Sequence, residues 1–118
     1  MNLMNVLNSE KMPDINQFQI DKDGFLKNSN VWNEEFALQS ANAESIKMSD
    51  DHWEVIYFLR EYYSENKKSL AIRALVTALK KKFGPEKGNS LYLQSLFPES
   101  PAVQASKIAG LPKPTRCI

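Results

Sequence analysis

The sequence is poor in the residues that build metal and redox centres, since its 118 residues include one cysteine and one histidine. One cysteine cannot form an internal disulfide, which excludes the disulfide-rich secreted class. One histidine and one cysteine are too few for a structural zinc site of the Cys/His type. The four glycines form no glycine-rich phosphate loop, and no G-x-S-x-G nucleophile motif occurs. We therefore expect no metal and no cofactor, and these absences exclude most of the common arrangements of catalytic residues.

The chain also lacks long apolar runs and a recognisable targeting segment. No run approaches the ~20 residues of a membrane span, and the start, MNLMNVLNSEKMPD, lacks the pattern of a signal peptide. Together with the single cysteine, this predicts a cytoplasmic protein. The length fits one domain. We expect a loose tail over residues 1–13, a single domain over 14–110 and an arm over 111–118.

Positive and negative charges are unevenly distributed along the chain. Residues 1–59 hold 4 Lys/Arg and 10 Asp/Glu, and residues 60–118 hold 11 Lys/Arg and 4 Asp/Glu. The net charges of −6 and +7 give the total of +1. A basic half suggests an anionic partner, such as RNA or an acidic protein face. The alternative is a solvated surface whose two halves attract each other.

Alternating residues indicate a small β-hairpin near the N-terminus. Phe18 and Ile20 alternate with glutamines, and the turn signal DKDG follows, with Gly24 supplying a positive φ. Two short strands are only marginally stable alone, so the hairpin has to pack on other elements.

Most of the remaining sequence has the periodicity of amphipathic helices. The predicted helices cover 31–43, 50–65, 69–83, 88–96 and the residues between Ser100 and Gly110. The second has so broad an apolar face that we expect it to be centrally buried. The expected fold is mainly α: a small orthogonal helical bundle with an N-terminal β-hairpin, a helix-turn-helix-like pair and a mobile C-terminal arm.

The helices at 69–83 and 88–96 are candidates for a DNA-binding helix-turn-helix, because four lysines lie near their turn. These are Lys80, Lys81, Lys82 and Lys87. A DNA-reading helix needs polar side chains that reach base edges, whereas much of NSLYLQSLF is apolar. A solvated helix end is the alternative. The single histidine, His52, falls in the first turn of the 50–65 helix, where we expect a partly exposed structural residue.

The only cysteine, Cys117, lies one residue from the carboxyl terminus, beyond two prolines. A residue there is hard to bury, and an exposed thiol is open to oxidation, so its presence suggests a chemical role. The thiolate is the nucleophilic form. Arg116 and Lys113 favour it, whereas the terminal carboxylate of Ile118 opposes it.

The proline-containing segment before the cysteine gives the thiol reach. Six extended residues, 111–116, at ~3.1 Å each span roughly 19 Å. Stiff prolines reduce the entropy lost when such a segment enters a cleft. The pattern favours a carrier that presents a sulfur atom to another protein.

Three parts of the sequence carry a family resemblance. The C-terminal part reads KFGPEKGNSLYLQSLFPESPAVQASKIAGLPKPTRCI, the centre contains HWEVIYFLREYY and AIRALVTALKKKFG, and the N-terminal part contains DKDGFLKNSNVW. Together they resemble the TusE/DsrC sulfur-carrier family, from about Ile15 to Ile118. The most specific motif is a G-L-P-K-P arm that ends in cysteine and one more residue.

The resemblance implies a sulfurtransferase that accepts sulfane sulfur as a persulfide on Cys117 and passes it on. Members of the DsrC type carry a second cysteine eleven positions earlier, where this sequence has Ser106. With one thiol, the arm cannot close the intramolecular disulfide used in dissimilatory sulfite reduction, and the chain is more similar to TusE. TusE-like proteins take sulfur from a TusBCD-type complex and give it to a tRNA 2-thiouridylase that modifies the wobble uridine.

Three basic residues are candidates for assisting the thiol. Arg73, Lys107 and Arg116 could dock the arm or stabilise the thiolate, and the alternative is that they are ordinary surface charges or members of ion pairs. The expected partners are the TusBCD-like donor and the thiouridylase with its bound tRNA, and no membrane is involved. The alternative functions are a DsrC-type partner of sulfite reductase and a DNA-binding helix-turn-helix regulator.

Overall fold

Helices account for most of the part of the chain that the computed structural model describes, residues 18–114. They are α1 (Glu34–Ala43), α2 (Asp50–Asn66), α3 (Ile72–Phe83), α4 (Ser90–Leu96) and α5 (Pro101–Ile108), with a short 3₁₀ turn at Ser29–Val31. The predicted mainly helical class is confirmed. The predicted N-terminal tail lies outside the described residues. None of the helices in this part of the chain is long and apolar enough to cross a membrane.

Capping residues explain where α1 and α4 begin. The Asn33 side chain accepts a hydrogen bond from the Phe36 N–H at 2.8 Å, and the Asn89 side chain accepts one from the Tyr92 N–H at 2.7 Å. An asparagine at this position satisfies one of the N–H groups that have no partner within the helix. Both helices therefore begin two or three residues later than their periodicity predicts.

Helix α5 occupies the centre of the fold, because it contacts each of the other four helices. Its buried residues include Ala102, Ala105 and Ser106, whose small side chains let neighbouring helices approach closely. The sequence also predicts α2 as a centrally buried helix, and Ile56 on its inner face is 0% exposed. The apolar face of α2 is broad, but several of its aromatic residues, such as Tyr57, lie at the edge of the core.

The predicted β-hairpin is present only as a turn. Over residues 18–114 there is no β-strand, and one isolated antiparallel bridge joins Ile20 to Leu26. The Asp21 carboxylate accepts the N–H groups of Asp23 and Phe25, both at 2.9 Å, which tightens the turn. Phe25 and Leu26 after the turn are both buried, so their side chains do not alternate between core and solvent as they would in a surface hairpin. The predicted first strand begins at residue 15, and residues 15–17 lie outside the described part.

The turn between α3 and α4 packs directly on α3. A Cβ at Gly88 would lie 2.2 Å from the backbone of Lys80, so only glycine fits there. Lys87, in the same turn, forms an ion pair with Glu54 of α2 at 2.5 Å. This ion pair and the close approach at Gly88 fix the turn against two helices.

Candidate functional site

The segment that leads toward Cys117 begins against the body of the protein. After α5, Gly110 has a φ of +72°, which reverses the chain direction, and Leu111 is 1% exposed. The Leu111 N–H donates to the Ser106 carbonyl at 3.0 Å. Pro114 is also buried. We call Leu111–Pro114 the root of the C-terminal segment; burial of Leu111 alone contributes about 2 kcal/mol to holding it in place.

The root also bonds to the connection between α2 and α3. The Ser69 hydroxyl donates to the Pro112 carbonyl at 2.5 Å. The reach of roughly 19 Å assumed that the extended segment starts at Leu111. Because Leu111 and Pro114 are buried, the reach is counted from Pro114 instead, and it is correspondingly shorter.

Two side chains bind the carboxyl end of α5, and we call them the clasp: Trp32 and Arg60. The Trp32 indole N–H donates to the Ile108 carbonyl at 2.9 Å, and Arg60 Nη1 donates to the Ala109 carbonyl at 2.8 Å. The guanidinium carbon lies 4.3 Å from the centroid of the Trp32 ring. The clasp satisfies carbonyls at a helix end and places a positive charge where the helix dipole is negative.

The sequence alone does not indicate this role of Arg60. Burial lowers the pKa of its guanidinium from the usual value, yet arginine stays charged near neutral pH because that usual value is so high. Its Nη2 also donates to the Ser29 carbonyl at 3.2 Å. The available signal was its position in YFLREYY, where aromatic and aliphatic residues outnumber the charged pair of Arg60 and Glu61.

Gly110 is required both by its backbone conformation and by the space around it. A Cβ there would lie 2.5 Å from Trp32 Cδ1 and 3.1 Å from Leu26 Cδ2. The indole ring therefore covers residue 110 directly. The predicted use of Gly110 to end the last helix agrees with this geometry.

Ser106 lies beneath the root. Its side chain is 0% exposed, and its hydroxyl has no hydrogen-bond partner among the described residues. A thiol at this position, as in the DsrC type, would be enclosed between α5 and its neighbours unless Leu111 moved away.

Lys107 is held by an ion pair rather than directed at the root. Its ammonium group lies 2.9 Å from Glu44 Oε2, and the Gln104 amide donates to Glu44 Oε1 at 3.0 Å. Burial acts to raise the pKa of Glu44, but the hydrogen bonds from Gln104 and Lys107 and the charge of Lys107 outweigh it, so the pKa is lowered. Lys107 lines a cavity together with Gly24.

The other predicted basic residues lie in separate places. Arg73 is exposed on α3, where it lines a shallow groove with Tyr62 and Lys81. Lys113 belongs to the root and lines a different concavity. Arg73 and Lys107 are therefore not gathered around the root. The positions of Cys117 and Arg116 lie outside the described residues.

The single histidine has a structural role. His52 is 8% exposed, which corrects the prediction of partial exposure. Its Nδ1 accepts the Ser49 N–H at 3.0 Å, and its Nε2 donates to the Leu96 carbonyl at 2.8 Å. Both ring nitrogens are occupied, so His52 fastens the start of α2 to the end of α4. Within residues 18–114, no cluster of three or more potential ligands for a metal ion occurs.

Comparison with known proteins identifies the family of this chain. The family model for DsrC like protein matches residues 13–118. The curated "Sulfurtransferase TusE homolog" of Haemophilus influenzae is 56% identical over 102 residues, which cover 86% of this chain and 94% of that protein. "Sulfurtransferase TusE" of Escherichia coli K12 is 53% identical over 102 residues, with the same shares covered.

Solved structures of DsrC proteins have the same fold as this chain. The NMR structure of Allochromatium vinosum DsrC superposes with a TM-score of 0.79 at 48% identity, covering 86% of this chain and 90% of that one. The crystal structure of the oxidized gamma-subunit of dissimilatory sulfite reductase (DsrC) from Archaeoglobus fulgidus gives 0.72 at 36% identity, covering 86% and 92%. This chain belongs to the DsrC-like family, and it is a sulfurtransferase with a role in sulfur relay.

Proposed function

We propose that the protein carries sulfane sulfur as a persulfide on Cys117 and delivers it for 2-thiolation of the wobble uridine in tRNA. The observation that carries the proposal is the root. The chain is anchored to the body as far as Pro114, and the only thiol of the sequence follows three residues later. Anchoring holds the thiol near one place on the surface, which lowers the entropic cost of presenting it to a partner.

The chemistry needs only two thiol exchanges. The Cys117 thiolate attacks the outer sulfur of a donor persulfide, a new S–S bond forms, the donor S–S bond breaks, and the donor leaves as a thiolate. An acceptor thiolate then attacks the outer sulfur of the Cys117 persulfide, and Cys117 leaves as a thiolate. Each exchange moves one neutral sulfur atom without net oxidation or reduction, so no metal, cofactor or separate base is required.

The proposed donor is a TusBCD-type complex, and the proposed acceptor is a tRNA 2-thiouridylase with bound tRNA. Support comes from the TusE relatives, at 53–56% identity, and from the single thiol, which is sufficient for a relay. An acceptor that works on tRNA places the protein in the cytoplasm. Arg116, adjacent to Cys117 in the sequence, is the proposed thiolate-stabilising residue, since a neighbouring cation lowers a thiol pKa.

The alternative of a sulfite reductase partner has one observation in its favour, because a solved relative is the gamma-subunit of dissimilatory sulfite reductase. That role depends on a second thiol in the DsrC type, and here the position is Ser106. The DNA-binding alternative has less support. Of the four lysines near the α3–α4 turn, Lys82 and Lys87 are in ion pairs with carboxylates of α2.

A coupled transfer assay tests the proposal. The protein is loaded with a cysteine desulfurase, cysteine and the TusBCD-type complex, and is then mixed with the thiouridylase and unmodified tRNA. We expect 2-thiouridine to form at a rate that depends on this protein, and Cys117→Ser to abolish its formation. Formation of 2-thiouridine that is equally fast with the serine variant would refute the proposal. Loading without onward transfer would show that tRNA thiolation is not the destination.

A further inference from the structure

The short distance between the root and Cys117 determines where a sulfur-exchange partner has to sit. From Pro114 to Cys117 there are three residue steps, which span at most about 11 Å when fully extended. A partner thiol has to reach bonding distance of the Cys117 sulfur. Because the tether is so short, the protein that carries this thiol has to touch the body around the root during transfer.

The surface around the root is basic. Beside it lies an open concavity of about 410 Å³, lined by Tyr63, Lys67, Lys68, Ser69, Pro112, Lys113 and Pro114. Its three lysines are exposed. Some lysines elsewhere differ from these three because they form ion pairs. Lys107 is paired with Glu44, and Lys87 with Glu54.

The three lysines around the concavity are available for a partner. Within residues 18–114, none of them makes an ion pair. Lys67 has a φ of +57°, and its N–H donates to the Tyr63 carbonyl at 2.7 Å, so the chain turns sharply at the end of α2. This turn places Lys67 and Lys68 beside the root, which contributes Lys113.

We propose that the concavity formed by Tyr63, Lys67, Lys68 and Lys113 is the docking surface for a carboxylate-rich rim around the reactive thiol of the sulfur-exchange partner. The inference rests on the proposed relay through Cys117. Like charges facing each other across an interface oppose binding, whereas complementary charges accelerate encounter. A partner that has to approach three lysines with no ion pair to any residue in 18–114 is therefore expected to present negative charge there.

The occupant is a protein rather than a nucleic acid, because the transfer step requires a thiol and tRNA carries none before its thiolation. The tether is too short for the thiol-bearing partner to sit elsewhere while nucleic acid fills the concavity. The open concavity, which Tyr63 and the prolines of the root line together with the lysines, can admit acidic side chains that project from a protein surface.

Charge reversal tests the proposal. The variant K67E/K68E is compared with K22E/K47E, which makes the same change in net charge at exposed lysines before α1 and between α1 and α2. Single-turnover transfer from the persulfide-loaded TusBCD-type complex to Cys117 is measured over a series of salt concentrations. Wild-type transfer is expected to slow as salt rises, and K67E/K68E to be slower on the order of tenfold or more at low salt. K22E/K47E should stay within about twofold of the wild type.

Two further measurements separate the possible failures. Alkylation of Cys117 by iodoacetamide, a small neutral reagent, measures the reactivity of the thiol itself at the same pH. It is expected to slow much less than transfer does in K67E/K68E, and circular dichroism checks the folding of each variant. The neutral variant K67Q/K68Q should fall between the wild type and K67E/K68E. It also keeps the test valid if the reversed variant does not fold.

Each outcome has a defined meaning. If the wild type is loaded but K67E/K68E matches it at every salt concentration, the docking surface is wrong and the relay stands. Equal slowing in K22E/K47E would also overturn it. Binding of tRNA that is lost in K67E/K68E while transfer is unchanged would assign the surface to nucleic acid. If the donor loads no protein at all, the proposed function itself fails.

Discussion

Replacement of Arg60 by methionine is expected to destabilise the protein strongly through loss of the clasp. The change removes hydrogen bonds to the carbonyls of Ala109 and Ser29 and the contact of the guanidinium with Trp32, while much of the apolar stem is retained. Ala109 is 0% exposed. Its carbonyl is therefore expected to find water only if the end of α5 moves, which makes this bond the most costly to lose.

The size of the effect follows from these contacts. Hydrogen bonds from a charged donor contribute about 1.5–3 kcal/mol each, and a partly exposed cation–π contact contributes about 1 kcal/mol. Their sum is an upper bound, because the buried guanidinium of Arg60 has lost hydration, as its lowered pKa indicates. Regaining that hydration in the unfolded state offsets part of the sum. We expect Arg60→Met to reduce the free energy of unfolding by about 3 kcal/mol.

Urea unfolding followed by circular dichroism measures this loss. The midpoint should fall with little change in the denaturant slope, since the surface exposed on unfolding is nearly the same. Arg73→Met is the matched control, because Arg73 is exposed, and it should change stability by less than about 0.5 kcal/mol. Arg60→Lys keeps the charge but not the forked geometry, and it should lie between the two. If Arg60→Met is as stable as the control, the clasp does not hold the end of α5.

Three smaller changes test other parts of the structure, each by denaturant unfolding. Gly110→Ala should cost more than Gly84→Ala: both glycines have a positive φ, which costs alanine about 1–3 kcal/mol, but only at Gly110 does overlap with the indole ring add about 1–3 kcal/mol, since no atom lies within 4 Å of the Cβ position at Gly84; equal costs would contradict the close contact. Because the pKa of Glu44 is lowered in the folded state, its contribution is present above the unfolded-state pKa and is lost as pH falls through the folded value. Glu44→Gln should therefore reduce the free energy of unfolding by about 1 kcal/mol at pH 7 and by progressively less in acid. A reduction that does not depend on pH would show that the Glu44–Lys107 ion pair does not stabilise the fold. His52→Ala should cost about 2–3 kcal/mol, because it leaves buried polar groups unpaired, and no loss would mean that these bonds are dispensable.

The helical class could be predicted because its signals are local. Apolar periodicity, capping residues and the helix-ending Gly110 all depend on neighbouring residues, and each is visible in the sequence. The central position of α5 could not be predicted in this way. Ala102, Ala105 and Ser106 are weakly hydrophobic, and their burial depends on how closely other helices approach.

The site was harder to predict because it depends on contacts between residues far apart in the sequence. The sequence predicts that Leu111 is part of an extended segment, since a single leucine between glycine and proline has no periodic partner, yet it is buried in the core. The sequence does not identify the ion-pair partner of Lys107, because Glu44 is 63 residues away. The role of Arg60 likewise depends on Trp32 and on the end of α5, and neither is adjacent to it in the chain.

The sulfur state of Cys117 tests the central claim most directly. The intact mass is measured for protein loaded by the desulfurase and the TusBCD-type complex, and for protein purified from cells without reductant. The account predicts a species heavier by about 32 Da, one sulfur atom, that reductant removes and that Cys117→Ser lacks. A wild-type protein that stays unmodified after loading, or the same adduct on the serine variant, would contradict the account.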